Sequence, residues 1–188
     1  GFALLINTAF SNDGTLYRRG GDSVNRSDID SGITRYRTTG GAVQRYTSLS
    51  RDYYHLVLDD AVFTISGALR TAGNLGGTGT LNGGTVPVTV NGSLTVAAYL
   101  ATSDVTTVGG DWTVAAFTHN GGTASFSGAG AVSGGPFWNL TVSAATRTLA
   151  GDITVLNNAA IAAGAVLDGG AFTLSVGGSW TNAAGAPG

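Results

Sequence analysis

Asp59 and Asp60, adjacent to each other with His55 just upstream, are the residues whose types best suit acid–base chemistry in this chain. Cleavage of a glycosidic bond needs two carboxylates facing each other across roughly 5 to 9 Å. Neighbouring residues of a strand point to opposite faces, so this pair converges only if it lies in a turn. The preferred reading is that Asp59-Asp60 opens a corner after Leu56-Val57-Leu58. His119, in T-H-N-G-G, reads as a turn residue, and two isolated histidines in a chain without cysteine make a poor set of metal ligands. No catalytic residue, metal site or cofactor is expected, and the chain is read as not an enzyme.

The phrase G-G-T-G-T-L-N-G-G, Gly76 to Gly84, has the glycine density of a calcium-binding coil, but Thr80 and Leu81 stand where such a coil needs a carboxylate. It cannot act as a phosphate loop either, because the chain contains no lysine. Trp112, Trp138 and Trp180 would stack on sugar rings if exposed; the matching phrases around Trp112 and Trp180 favour an inward ladder or a corner filler. Eight of the nine arginines lie between Arg18 and Arg70. Such a bias can mark an anionic-polymer patch, but aspartates share the region, and pairing with Asp13, Asp22, Asp28, Asp30, Asp52, Asp59 and Asp60 is the plainer reading. Asn25, Asn91 and Asn139 lie in glycosylation sequons.

Strands must position these residues. The chain has no Glu, Lys or Met and a single Gln, Gln44, so the straight-chain helix formers are nearly missing while Thr, Val and Gly abound. Short strand-like segments, most of them apolar-Thr-apolar, recur from Tyr53 onward: Leu56-Val-Leu58, Val88-Thr-Val90, Leu94-Thr-Val96, Trp112-Thr-Val114, Leu140-Thr-Val142, Ile153-Thr-Val155 and Leu174-Ser-Val176. A corner phrase recurs with them, as V-N-G-S-L-T from Val90, V-G-G-D-W-T from Val108 and V-G-G-S-W-T from Val176. A longer match aligns Tyr54 to Leu69 with Trp138 to Ile153 at an offset of 84 residues. Strands returning after about 18 to 25 residues fit the circuit of a parallel β-helix better than the hairpins of a sandwich. The expected fold is therefore all-β, a parallel β-helix (β-solenoid), with six or seven coils between Tyr53 and Asn182.

Two regions follow from this reading. Residues 53–188 carry the solenoid repeats, and residues 1–52 form an extended strand followed by a loop-rich cap or assembly region. At the start, Phe2, Leu4, Ile6 and Phe10 alternate onto one face of a strand that wants a partner sheet. At the other end the last repeat stops just after Trp180, which predicts a sticky final turn. The expected assembly interface is Phe2, Leu4, Ile6, Phe10 and Trp180. The missing methionine is expected of a processed or excised chain, and no apolar run reaches the roughly 18 residues of a membrane-spanning helix.

The segments F-W-N-L-T-V, L-A-G-D-I-T-V, L-D-G-G-A-F-T-L-S-V and G-G-S-W-T-N resemble the β-helical repeats of large secreted bacterial surface proteins, the filamentous-haemagglutinin-like adhesins. The resemblance runs from about Tyr53 to Asn182. It implies a stalk, scaffold or fibre at an extracellular or cell-surface location. The partners then expected are the chain itself, joined head to tail, or further solenoid of a parent chain, with surface glycans as an additional partner; nucleic acid and a membrane span are not expected. The competing expectation is a polysaccharide-binding or -cleaving β-helix, and a third is an anionic-polymer binder built on the arginine-rich first third.

Overall fold

A computed structural model of the chain describes residues 3–5, 10–20, 22–25, 29–44 and 52–184. Every paired strand among them runs parallel to its neighbours, no helix occurs, and the backbone winds as a β-solenoid of about nine turns. Nine strands at about 4.8 Å per turn make a rod on the order of 40 Å long.

Three strand-bearing faces succeed one another within each turn. The first face carries Thr15–Arg18, Ile33–Tyr36, His55–Leu58, the start of Leu75–Asn82, of Leu94–Leu100 and of Trp112–Thr118, then Gly130–Val132, Thr146–Leu149 and Val166–Asp168. The second carries Gly41–Ala42, Val62–Thr64, the later halves of the three long strands, and further on Ile153–Val155 and Leu174–Val176. The third carries Leu69–Thr71, Val88–Val90, Val105–Val108, Thr123–Phe126, Asn139–Val142, Ala159–Ile161 and Trp180–Asn182. One circuit takes from 16 residues, Thr123 to Asn139, up to 22, Ile33 to His55.

Stacking in register turns the apolar alternation of each strand into ladders. Leu56, Leu75, Leu94, Trp112, Val132 and Leu149 stack inward on the first face. On the third, Thr71, Val90, Val108, Phe126, Val142 and Ile161 do the same. Tyr99, Trp112, Phe117, Phe126 and Phe137 meet in the interior at centroid separations of 5.1 to 6.2 Å. The Gly76–Gly84 phrase is mostly strand, within Leu75–Asn82. Its bend from first to second face falls at Gly77, where φ is +128° and a Cβ would come within 2.1 Å of the Leu58 carbonyl oxygen.

Three expectations need correction. The 84-residue match does not join equivalent places: Leu56 lies on the first face and Leu140 on the third, while Leu69 lies on the third and Ile153 on the second. The corner phrases of Val90 and Val108 are one turn apart, with Leu94 in register with Trp112, but that of Val176 turns a different corner, from second to third face. All faces use the same strand chemistry, so likeness of sequence reports a corner, not a position in the turn. Trp180, matched in sequence with buried Trp112, is 48 % exposed. It continues an inward ladder after Leu140 and Ala159, but no described turn lies over it.

The first-face sheet runs straight through the boundary placed near residue 53, since Thr15–Arg18 and Ile33–Tyr36 are its first two strands. Of the proposed N-terminal strand, Phe2 and Ile6 lie outside the described residues. Leu4 belongs to the two-residue strand Ala3–Leu4, which pairs in parallel with Ser23–Val24 of the same chain, and Phe10 is half-buried outside any strand.

Candidate functional site

The carboxylates singled out by sequence sit at the corner between first and second faces. Asp60 has φ +62°, a left-handed corner conformation that aspartate tolerates better than most residues. Both side chains face Thr78, one turn on: its hydroxyl donates to Asp60 Oδ1 at 2.9 Å and its amide to Asp59 Oδ1 at 3.4 Å. Asp59 is also ion-paired with the Arg35 guanidinium at 3.2 Å. His55 stands at the opposite end of the strand His55–Leu58, with its ring against Tyr54, and is not part of this group. His119 stacks at 5.6 Å on the partly exposed ring of Trp138. Among the described residues no three His, Cys, Asp or Glu side chains gather to hold a metal ion.

The corners hold a more systematic arrangement that sequence reasoning passed over. At the third-to-first corner, His55 Nδ1 accepts the Asn74 amide at 2.9 Å and Asn74 Oδ1 accepts the Ser93 amide at 3.0 Å. Ser93 Oγ then accepts the Asp111 amide at 3.0 Å, and Asp111 Oδ1 the Ala131 amide at 2.8 Å. At the second-to-third corner Asn139 Oδ1 accepts from the Asn158 amide at 3.2 Å, and Asn158 Oδ1 from that of Ser179 at 3.0 Å. Asp152 Oδ1 takes the Thr173 amide at 2.9 Å at the remaining corner. In each case an acceptor side chain, one residue before an inward ladder position, satisfies an amide of the following turn. The relay has one direction, with acceptors reaching toward the C-terminal end. Its signal lay in the corner phrases, where Ser93, Asp111 and Ser179 fill one slot.

The two ends of the rod differ. Near the N-terminal end the interior is polar. Gln44 donates from Nε2 to the Val24 carbonyl at 2.6 Å and accepts the Val24 amide at 2.8 Å, standing in for a strand partner. Tyr36 and Tyr53 join hydroxyls at 3.0 Å, and Tyr53 donates to the Gln44 carbonyl at 2.5 Å. Arg18, buried over the Tyr36 ring, bonds Gln44 Oε1 and the Asp22 carbonyl. Burial pushes the Tyr36 phenol up, opposed by the nearby Arg18 charge.

At the C-terminal end the last described turn is apolar and open. Leu174 and Val176 are half-exposed and Trp180 and Phe172 exposed, whereas Ile153, Val155 and Ala159, one turn below Leu174, Val176 and Trp180, are at most 1 % exposed. One further turn is what separates the two environments. The strands Val166–Asp168, Leu174–Val176 and Trp180–Asn182 each have a neighbour on one side only among the described residues. Of the expected interface residues, the structure thus places Trp180 at this end and Leu4 and Phe10 near the other, and does not bring them together.

Comparison of the chain with protein-family models, with curated proteins and with solved structures finds no match.

Proposed function

We propose that this chain is a non-enzymatic structural rod, a segment or subunit of an extracellular surface fibre, whose last described turn is continued by further parallel solenoid, of a second copy or of a parent chain. The observation that carries the reading is the exposure of Leu174, Val176 and Trp180 at positions where the turn below buries the equivalent side chains. An added turn would cover that apolar surface at about 25 cal/mol per Å² and pair the open strand edge, the same gain that holds each internal turn to the next. Ser179 offers its hydroxyl where the corner relay predicts the next amide donor, which would set the register of the incoming turn. The adhesin-like phrases between Tyr53 and Asn182 point the same way. The N-terminal strand is proposed as the second assembly element, since a two-residue parallel pairing leaves an edge to extend. The corner carboxylates favour this reading over glycan cleavage, because Asp59 is already neutralised by Arg35.

Sedimentation velocity and negative-stain microscopy over a concentration series test it. End-to-end oligomers or filaments are expected, dispersed by Leu174→Arg with Val176→Arg while the monomer's melting temperature changes little. A monodisperse monomer at every concentration, or filaments indifferent to those substitutions, would refute continuation by a second copy.

A further inference from the structure

The arginine-rich stretch resolves into separate fates. Arg18 is an interior residue, Arg35 pairs with Asp59, and Arg70 pairs with buried Asp52 at 3.6 Å. Arg19 and Arg37 differ: both are exposed, and neither is within ion-pairing distance of a carboxylate among the described residues. They line a groove of about 340 Å³ together with Tyr17, Arg18, Asp22 and Thr38.

Three details make this groove more than a patch of charge. The Arg37 guanidinium lies 4.8 Å over the Tyr17 ring, which fixes its plane while leaving its in-plane N–H donors to a ligand. Asp22, the one acidic residue of the lining, is turned to the backbone, where its Oδ2 accepts the Arg19 amide at 2.8 Å. Thr38 has φ +68°, a conformation that β-branched residues seldom adopt, and strain of this kind tends to be kept where a site needs it. It follows directly on Arg37 and holds the corner closed by donating from its hydroxyl to the Arg37 carbonyl at 2.7 Å.

We propose that this groove binds the carboxylate of an acidic saccharide, a uronic-acid unit of a glycan chain. Two guanidinium forks match a carboxylate's geometry, and the exposed part of the Tyr17 ring supplies a surface for a sugar's apolar edge. The volume suits one or two sugar units, at the lower end of the range for small-ligand sites. Nucleic acid fits poorly, because a polyphosphate needs a continuous basic track, and here three arginines share a short groove with Asp22. The site is independent of the assembly proposed above and would let a rod hold a glycan near its N-terminal end.

Titration calorimetry of the whole chain with a uronic-acid hexamer tests the assignment, with a neutral glucose hexamer and a single-stranded oligonucleotide as the other ligands. Saturable binding of the uronate alone is expected, weakened by salt and about tenfold by each of Arg19→Gln and Arg37→Gln, with melting temperatures unchanged. Absence of saturable uronate binding, or affinity untouched by both substitutions, overturns the site. Equal binding of the oligonucleotide overturns the saccharide assignment.

Discussion

Arg147 is fully buried, and its removal probes how the rod is held together more sharply than any other substitution. It enters from the first face one turn after Gly130, and its guanidinium crosses to the carbonyls of earlier turns. Nη1 donates to Gly110 O at 2.6 Å and Nη2 to Gly128 O at 2.8 Å, with longer contacts of 3.4 Å to Ala131 O and Val108 O. The cation also sits 4.5 Å over the Phe126 ring. Burial lowers the Arg147 pKa and the Asp111 carboxylate pulls it back up, so the charge is retained at a desolvation cost. Arg147→Met keeps the stem and removes the charge. Two short charge-assisted bonds at about 1.5 to 3 kcal/mol each are lost, and relief of desolvation returns part, leaving a net destabilisation of about 3 kcal/mol. At about 2 to 4 °C per kcal/mol for a chain of this size, the melting temperature should fall by about 6 to 12 °C. Circular dichroism measures that fall. Arg147 reaches at most two turns back, so hydrogen exchange should quicken most around Gly110, Gly128 and Ala131 and little near Leu56. If Arg147→Met melts as high as the parent or higher, the buried cation is a burden and not a tie, and the reasoning fails.

Gly77→Ala should destabilise by at least about 2 kcal/mol in chemical denaturation, because its left-handed bend and the nearby Leu58 carbonyl leave no room for a methyl group; a neutral result would mean the strand can straighten there. Burial pushes the Tyr99 phenol up to about 12, while its hydroxyl pairs with that of Thr106 at 2.7 Å. The unfolded chain then gives up this proton first, so the stability present below pH about 10 should fall by on the order of 2 to 3 kcal/mol as pH rises to about 12. Tyr99→Phe should flatten that alkaline loss, with the remainder owed to Tyr36, and an unchanged pH profile would count against the assignment. Asn158→Ala should cost about 0.5 to 1 kcal/mol and speed exchange of the Ser179 amide, and an unaffected amide would remove the corner relay as a stabilising element.

Much of the corner chemistry was legible without coordinates. The slot shared by Ser93, Asp111 and Ser179 was visible as a phrase, although the acceptor role that Ser93 and Asp111 play for the following turn was not. The arginines were less readable. Arg18 and Arg147 point inward, where alternation alone expects an apolar residue, because carbonyls and aromatic rings of stacked turns help to receive them. Nothing local to Arg147 announces its partners, and the ring that receives Arg18 comes from the next turn. The groove of Arg19 and Arg37 was hidden for the same reason: its walls come from two successive turns.

By itself the sequence determined that this chain builds strands and not helices, that the strands repeat at the length of a coil, and that glycine and short polar residues turn its corners. These are local matters of backbone preference and period. Only the tertiary structure decided which face each strand occupies, because the three faces share one chemistry and the summed corner lengths alone settle the phase. For that reason Trp112 and Trp180, alike in their neighbours along the chain, differ in exposure: burial depends on the turn above, and among the described residues a turn lies over Trp112 and none over Trp180.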